Sequence, residues 1–323
     1  MDRLYIVVPC YKEEAVLPET SRRLKAKLAA LAEAGRIAPD SRVLFVDDGS
    51  SDRTWEIIAQ LHRKDATFSG VKLSRNRGHQ NALLAGLEEA ARHADVIVSM
   101  DADLQDDIGA VDSMLDCYAQ GCDVVYGVRS SRKKDTFFKR VTAQGFYRFM
   151  QAMGVDIVYN HADYRLLSRR AAQALLSFPE VNLFLRGMVP LVGFKSDTVL
   201  YERGERFAGE SKYPLKKMLA FALDGITSFS VKPIRLILNL GVVIFAVSVL
   251  MLLYFLIRKL CGHTVSGWTS LACSIWALGG IQLLALGVIG EYIGKIYNET
   301  KRRPRYIVET VLDEEAEADA GRQ

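Results

Sequence analysis

VIVSMDADLQDD, residues 96–107, joins an apolar run to four aspartates within seven positions. The apolar run is typical of a buried strand. Like carboxylates repel, so the cluster must lie in water or be held together by positive charge. Asp101 and Asp103 follow the strand two positions apart, and in an irregular turn both can reach one divalent cation. Mg²⁺ and Mn²⁺ favour such ligands. A solvated acidic loop is the alternative interpretation.

The first 233 residues alternate strand-like and helix-like patterns. LYIVVP, RVLFVDDGSSD, DVIVSM and DVVYGVR are predicted strands, and QNALLAGLEEAARH is a predicted helix. In residues 21–35, Leu24, Leu28 and Leu31 fall on one helical face. This alternation predicts an α/β fold with a largely parallel sheet covered on both faces. Ligands gather at the carboxyl ends of such strands, so PCYKEE, DDGSSD and DADLQDD should converge on one cleft.

The turn after the first strand argues against a dinucleotide enzyme. PCYKEE contains no G-x-G-x-x-G, and the chain has no G-x-x-x-x-G-K-[ST]. A ligand that carries phosphate therefore cannot rely on either glycine-rich loop, and it needs a cation instead.

Two long uncharged segments follow the α/β region. Residues 236–257 and 264–290 carry no charge, and each exceeds the roughly 20 apolar residues that span a bilayer. Two such segments in succession favour a transmembrane hairpin over buried core helices. The apolar run near the N-terminus is shorter than that of a signal peptide and has no cleavage site, so we expect it to be the first strand. Basic residues flank both outer ends of the uncharged pair, which predicts that both ends are cytoplasmic. The acidic tail from Glu309 is predicted to be disordered.

The totals agree with one large domain and an appendage, since the chain has 323 residues, a net charge of +4 and half of its residues hydrophobic. Five scattered cysteines show no zinc or redox spacing, so we interpret them as structural.

Six motifs stand in an order that resembles the inverting GT-A glycosyltransferases of family 2. They are VVPCYKEE, VDDGSSDRT, SRNRGHQNALLAG, DADLQDD, HADYRLLSRR and GESKY. Within this family, the chain is similar to the branch whose members transfer a sugar to polyprenyl phosphate. The two-helix tail is typical of the bactoprenol members of that branch. The resemblance implies a Rossmann-like GT-A domain with a mostly parallel sheet, followed by interfacial helices and a two-helix transmembrane hairpin in the inner cell membrane.

The resemblance also implies the domain boundaries. We expect a cytoplasmic GT-A catalytic domain over 1–211, amphipathic juxtamembrane helices over 212–234, transmembrane helices over 235–258 and 268–293, and a cytoplasmic tail over 294–323.

The family pattern assigns roles to residues of this chain. It implies Asp163, Asp101 and Asp103 for catalysis, and Asp101, Asp103 and Gln105 for Mg²⁺ or Mn²⁺. The nucleotide is expected at Pro9, Tyr11, Glu13, Asp48, Asn76 and Asp101. Arginine grips phosphate bidentately, and we expect Arg129, Arg165 and Lys212 to bind the acceptor phosphate. The alternatives are turn-shaping roles for Pro9 and Tyr11, a cap by Asp47 and Asp48 of a helix that begins near Asp52, and a helix cap for Asp163. We expect Asp163 just before a helix starting at YRLLSRR.

The leading hypothesis is transfer of a sugar, with glucose expected, from a UDP-sugar to undecaprenyl phosphate, with release of UDP. A processive polysaccharide synthase would carry Q-x-x-R-W, where this chain has NLFLRGMVPL. A sugar-1-phosphate transferase would release UMP. A non-catalytic nucleotide-binding membrane module is the fourth hypothesis. The expected partners are the nucleotide sugar, the lipid phosphate, the membrane and further copies of the chain, up to a tetramer, but no nucleic acid.

Overall fold

The computed structural model describes residues 1–130, 161–202, 230–260 and 267–313, together with Met153, Gly204, Ile226 and Thr227. The chain divides into two units. The sheet unit comprises Met1–Tyr147, Ile157–Tyr213 and Arg303–Gln323, and the helical unit comprises Arg148–Asp156 and Pro214–Arg302.

Strands and helices alternate along the first part of the sheet unit, as the sequence predicts. The elements are β1 Leu4–Cys10, α1 Leu17–Glu33, β2 Arg42–Asp47, α2 Thr54–Lys64, β3 Phe68–Leu73, α3 His79–His93, β4 Val96–Ser99, α4 Ala110–Ala119 and β5 Val124–Arg129. The later elements of the sheet unit are β6 His161–Ser168, α5 Arg169–Leu176, α6 Leu185–Leu191, β7 Ser196–Tyr201 and β8 Val308–Leu312. The helical unit contains α7 Lys232–Leu260 and α8 Trp268–Thr300.

The eight described strands form one sheet in the order β7-β5-β6-β4-β1-β2-β3-β8. Four of the pairings are parallel: β1 with β2, β1 with β4, β2 with β3, and β5 with β7. The other three, β3 with β8, β4 with β6 and β5 with β6, are antiparallel. The predicted α/β, Rossmann-like architecture is confirmed. The sheet was predicted to be mostly parallel, and in the structure it is mixed.

Helices cover both faces of the sheet. Leu24, Leu28 and Leu31 of α1 are buried in one hydrophobic core with alternate residues of β1, which confirms the predicted helical face. On the other face α3 packs closely enough that a Cβ on Gly86 would lie 2.4 Å from the Val7 side chain. Glycine at this position is therefore required for the close approach of helix and sheet.

The segment around Asp163 differs from the prediction. It forms strand β6, which pairs antiparallel with both β4 and β5, and the helix begins only at Arg169. Ser168, and not Asp163, caps that helix, since its hydroxyl accepts a hydrogen bond from the backbone N–H of Ala171. Asp163 therefore lies on a rigid central strand beside the end of β4.

The chain after the helical unit returns to the sheet. β8 covers the edge of β3, so the predicted disorder from Glu309 is wrong for residues 309–313. The Asp313 carboxylate accepts a hydrogen bond from the Arg42 guanidinium at 2.6 Å, and the two side chains are only 2% and 11% exposed. A second, more exposed pair joins Glu309 to Lys72 at 2.8 Å. The remaining tail, 314–323, lies outside the described residues.

This docking predicts a stability effect for the C-terminal strand. We expect Asp313→Ala to destabilise the protein by about 3–5 kcal/mol, because it removes the carboxylate of a largely buried ion pair while the Arg42 charge stays in place. Glu309→Ala is the matched control in the same strand, and breaking its exposed ion pair should cost less than about 1 kcal/mol. Thermal unfolding of both variants measures the difference, and equal midpoints would contradict a specific role for Asp313.

One helical segment of the described residues, Lys232–Met251, is long and apolar enough to cross a membrane, with a mean hydropathy of 2.4. The second predicted span, 268–293, lies within α8 and is helical. Because only one of the two helices qualifies as a span among the described residues, the two-helix transmembrane hairpin remains a prediction. Most of the predicted juxtamembrane segment, including Lys212, lies outside the described residues.

Candidate active site

Three loops meet at the carboxyl ends of β1, β2 and β3. Gly49, which follows β2, has φ +63°, and a Cβ there would lie 2.5 Å from the backbone of Arg75 in the loop after β3. The loop after β1 joins them because the Lys12 N–H donates to the Ser50 hydroxyl at 3.0 Å. The predicted convergence of PCYKEE with DDGSSD is confirmed, and the loop after β3 joins them.

The Asp48 carboxylate fastens the loop that precedes α3. It accepts hydrogen bonds from the backbone N–H groups of Arg77 at 2.6 Å and Gly78 at 2.9 Å. Burial raises the pKa of Asp48, although these two hydrogen bonds oppose the shift. In this structure the carboxylate therefore organises the wall of the cleft.

The other predicted nucleotide residues surround the same loops. Pro9 is buried in β1, while Tyr11 and Asn76 are exposed and Glu13 is half-buried. The Glu13 backbone N–H donates to the Thr54 hydroxyl at 3.0 Å. These positions fit a nucleotide bound at the ends of β1 to β3, and the assignment of each contact remains a prediction.

The aspartate-rich turn after β4 is fixed by its neighbours. The Thr20 hydroxyl of α1 donates to the carbonyl of Ala102 at 2.8 Å, and the Tyr164 hydroxyl of β6 donates to the carbonyl of Asp107 at 2.9 Å. Leu104 has φ +58°, a left-handed conformation that costs energy for a residue with a side chain. The turn is thus held in a strained conformation.

The side chains of this turn form an acidic cluster. Asp103 is buried, and its Oδ1 accepts a hydrogen bond from the Gln105 backbone N–H at 3.1 Å. Asp101 is half-buried at the cleft, where burial and the negative charges of Asp106, Asp163 and Asp103 raise its pKa to about 6, against the opposing effect of His79. A divalent cation fits this donor set, because it would offset the excess negative charge with oxygen ligands of the preferred type.

Asp163 lies among cations. Its Oδ1 accepts a hydrogen bond from Arg165 at 2.6 Å, and Arg186 at the start of α6 donates to both carboxylate oxygens, at 3.3 and 3.1 Å. Burial acts to raise the pKa of Asp163, but the charges of Arg186, Arg165 and His79 outweigh it and hold the pKa well below its usual range. Asp163 is therefore an anion throughout the physiological pH range.

The comparisons with known proteins agree with this architecture. Residues 5–176 match the family model described as glycosyl transferase family 2, which is more than half of the chain. The chain belongs to glycosyl transferase family 2. Residues 232–296 match a second model, described as the GtrB C-terminal hairpin.

Similar family 2 proteins match over nearly their whole length. The uncharacterized glycosyltransferase YkoT of Bacillus subtilis (strain 168) is 54% identical over 320 residues, covering 99% of this chain and 95% of that protein. The prophage bactoprenol glucosyl transferase homolog of Escherichia coli (strain K12) is 37% identical and covers 96% and 99%. The bactoprenol glucosyl transferase of Shigella phage SfV is 37% identical and covers 95% and 98%. The protein is thus a glycosyltransferase.

Two of the three predicted phosphate-binding residues of this family 2 enzyme are described. Arg165 is only 1% exposed, so a direct contact with an acceptor phosphate is not possible in this conformation, and its guanidinium instead supports Asp163. Arg129 is half-buried and contacts the hydroxyl of Tyr201 at 3.4 Å, with Asp106 4.0 Å away. Lys212 lies outside the described residues.

Two residues at the centre of the family 2 site were not predicted from the sequence, namely His79 and Arg186. His79 Nε2 lies 3.7 Å from a carboxylate oxygen of Asp101 and 3.7 Å from one of Asp163. The histidine stands within SRNRGHQNALLAG, and Arg186 within NLFLRGMVPL, so both lie in stretches that the sequence had marked. Only the fold shows that they meet.

Proposed function

We propose that this family 2 enzyme transfers glucose from UDP-glucose to polyprenyl phosphate, specifically undecaprenyl phosphate, with inversion at the anomeric carbon and release of UDP. The observation that carries the proposal is the meeting of Asp101, on the acidic donor side, with Asp163 and Arg186, on the cationic side. Two relatives of similar length have names that include bactoprenol glucosyl transferase, which supports a polyprenyl phosphate acceptor.

The donor side suits a diphosphate and a metal. Asp101, Asp103 and Gln105 would hold Mg²⁺ or Mn²⁺. When bound, such an ion neutralises charge on the diphosphate leaving group. The loops that Asp48 and Gly49 organise would contact the nucleoside.

The acceptor side suits a phosphate nucleophile that needs no strong base. A phosphomonoester has a second pKa near 6 and is mostly a dianion at pH 7. One of its oxygens forms the new bond to the anomeric carbon while the bond from that carbon to the diphosphate breaks. Asp163, kept ionised by Arg186 and Arg165, would orient this arrangement and would accept a proton poorly.

Arg186 is the cation best placed to bring an anionic acceptor close to Asp163. Its side chain is 33% exposed, so a ligand can reach it, whereas the Arg165 side chain is enclosed. Two anions approach each other at lower cost when a guanidinium contacts both. Arg129 offers a second partly exposed guanidinium, 4.0 Å from Asp106 of the acidic cluster.

The return of β8 to the sheet supports a two-helix transmembrane hairpin. Residues on both sides of the helical pair belong to one sheet, which supports a topology with both ends on the same side of a membrane. A chain that leaves a folded domain and returns to it crosses a bilayer an even number of times. At 1.5 Å per residue, α7 and α8 measure about 43 and 50 Å, and each exceeds a hydrocarbon core of about 30 Å. The expected homo-oligomer remains a prediction.

Identification of the lipid product and of the released nucleotide tests the function. Purified full-length protein is incubated with undecaprenyl phosphate, Mg²⁺ or Mn²⁺ and a panel of nucleotide sugars, with undecaprenol as the control acceptor. We expect a lipid-linked sugar and UDP from UDP-glucose, and no product with undecaprenol. Release of UMP would indicate a sugar-1-phosphate transferase, a polymer would indicate a processive synthase, and no turnover of any sugar would contradict the proposal.

We expect Arg186→Ala to raise the KM for undecaprenyl phosphate about 10- to 100-fold, because it removes a charge-assisted contact worth about 1.5–3 kcal/mol. Arg129→Ala should raise the same KM, while the KM for the nucleotide sugar changes little. Steady-state kinetics with each substrate varied in turn measures the split.

Arg22→Ala is the matched control, because Arg22 pairs with Glu19 on the exposed face of α1. If Arg186→Ala instead raises only the KM for the nucleotide sugar, Arg186 belongs to the donor side.

A further inference from the structure

We propose, on the basis of the function above, that His79 is a further catalytic residue that donates a hydrogen bond from Nε2 to a phosphoryl oxygen of a substrate. Nε2 points between Asp101 and Asp163, at 3.7 Å from an oxygen of each. Both distances exceed a hydrogen bond. The nitrogen is thus aimed at the space between the donor-side and acceptor-side acids, where the reacting groups would meet.

The state of the ring decides whether Nε2 can donate. A neutral imidazole carries its proton on one nitrogen only, and the other nitrogen is an acceptor. Nε2 is the ring nitrogen that faces the two carboxylates, and a proton on it would be available for donation into the space between them. A donor placed among anions suits a phosphoryl oxygen, and the ring is 41% exposed, so a substrate can reach it.

The backbone beneath the ring is well fixed. His79 is the first residue of α3, and the preceding Gly78 has φ +87°. The Gly78 N–H donates to Asp48 at 2.9 Å, which joins this turn to the nucleotide side of the cleft. The next residue, Gln80, accepts a hydrogen bond from the backbone N–H of Leu185 at 2.8 Å, immediately before Arg186. His79 therefore stands on a turn that contacts both halves of the site.

The charges around His79 indicate where its N–H would act. Arg165 and Arg186 both contact Asp163, while the donor-side turn contributes Asp101 and Asp103. Two anionic substrates must meet beside these acids. His79 Nε2 faces the space between Asp101 and Asp163, where the diphosphate and the acceptor phosphate of the proposed reaction would come together, so a phosphoryl oxygen there is within reach of its N–H.

Three variants separate the effect of losing the N–H donor from the effect of losing the volume of the ring. His79→Phe keeps a flat ring and removes the donor, His79→Ala removes both, and His79→Gln keeps an amide N–H of similar reach. Because the ring is exposed, all three should unfold at the wild-type temperature. His62→Gln, a histidine of α2 whose ring contacts the carbonyl of Phe68 at 2.7 Å, is the control outside the site.

Binding without turnover is measured by calorimetry with two probes, UDP in the presence of Mn²⁺ and a short-chain polyprenyl phosphate. We expect His79→Phe and His79→Ala to weaken the binding of one of these two probes by about 10- to 100-fold. His79→Gln should recover most of the lost affinity. Weaker UDP binding assigns the oxygen to the leaving diphosphate, and weaker lipid phosphate binding assigns it to the acceptor. Wild-type binding of both probes by His79→Phe, or a His79→Gln variant as impaired as His79→Phe, would overturn the proposal.

The binding readout keeps this inference separate from the proposed function. If the wild-type protein transfers no sugar to undecaprenyl phosphate, the proposed function fails, while the two binding measurements still decide the role of His79. If transfer is confirmed and the binding of both probes is unchanged, only the role of His79 fails.

Discussion

Asp103→Ala should lower sugar transfer by at least about 10³-fold, and Asp101→Ala should have a similar effect. The diphosphate leaving group loses several kcal/mol of charge stabilisation when the metal-binding acids are removed, and each 1.36 kcal/mol corresponds to a factor of ten in rate. Turnover with saturating Mg²⁺ or Mn²⁺ measures the loss. Calorimetric titration of Mn²⁺ in the presence of UDP provides a second readout that does not depend on catalysis.

Asp116→Ala is a suitable control for this prediction. Asp116 lies on α4 with a largely exposed side chain that pairs with Arg36, so its removal lowers the negative charge without touching the acidic turn. Undiminished turnover by Asp103→Ala in metal-free buffer would refute the metal site. A loss of the same size in Asp116→Ala would show that the effect reflects general charge and not a bound ion.

Asp163→Asn should lower kcat by about 10²- to 10⁴-fold, the range typical of a positioned acid or base, and residual activity should remain measurable. Asparagine keeps the size of the side chain and one oxygen acceptor for the guanidinium groups. The substitution removes the counter-ion of the buried Arg165 and should also cost stability. Activity is therefore compared well below the unfolding temperature of the variant, and wild-type activity would remove Asp163 from the mechanism.

The pH dependence separates an orienting Asp163 from a general base. The pKa of Asp163 is lowered, so the carboxylate is already ionised at every pH above its ordinary value and cannot cause a rise in rate between pH 5 and 8. We expect kcat to rise instead with ionisation of the lipid phosphate near pH 6. Asp163→Asn should keep the same midpoint at a lower rate. A midpoint that disappears in the variant would restore the general base.

The fold was predictable where local pattern and structure agree. The spacing of Leu24, Leu28 and Leu31 placed α1 correctly, and apolar runs that end in polar turns located β1, β2 and β4. β6 was missed because HADYRLLSRR carries an arginine at a position that the fold buries. Arg165 is tolerated there because its guanidinium donates to Asp163 and to the carbonyl of Leu185, and a one-dimensional pattern does not show such partners.

The site was predictable to the same extent. The acids of the turn after β4 and Asp163 were identified from motifs, and the structure brings Asp101 and Asp163 to the two sides of His79. Arg186 reaches Asp163 from a helix 23 positions further along the chain. No local spacing relates these residues, so their meeting could be seen only after folding.

The pairing of β8 with β3 fixes the order in which the protein can be completed. Lys72 and Glu309 are separated by 237 positions, and β8 is synthesised only after α7 and α8. Until then β3 is an uncovered edge, with unpaired N–H and C=O groups that invite association with other chains. A nascent chain that stops within the helical pair, or leaves its last segment across a membrane from the sheet, cannot close this edge. Completion of the sheet thus requires that both helices have been made and that the chain has returned to the side of the sheet.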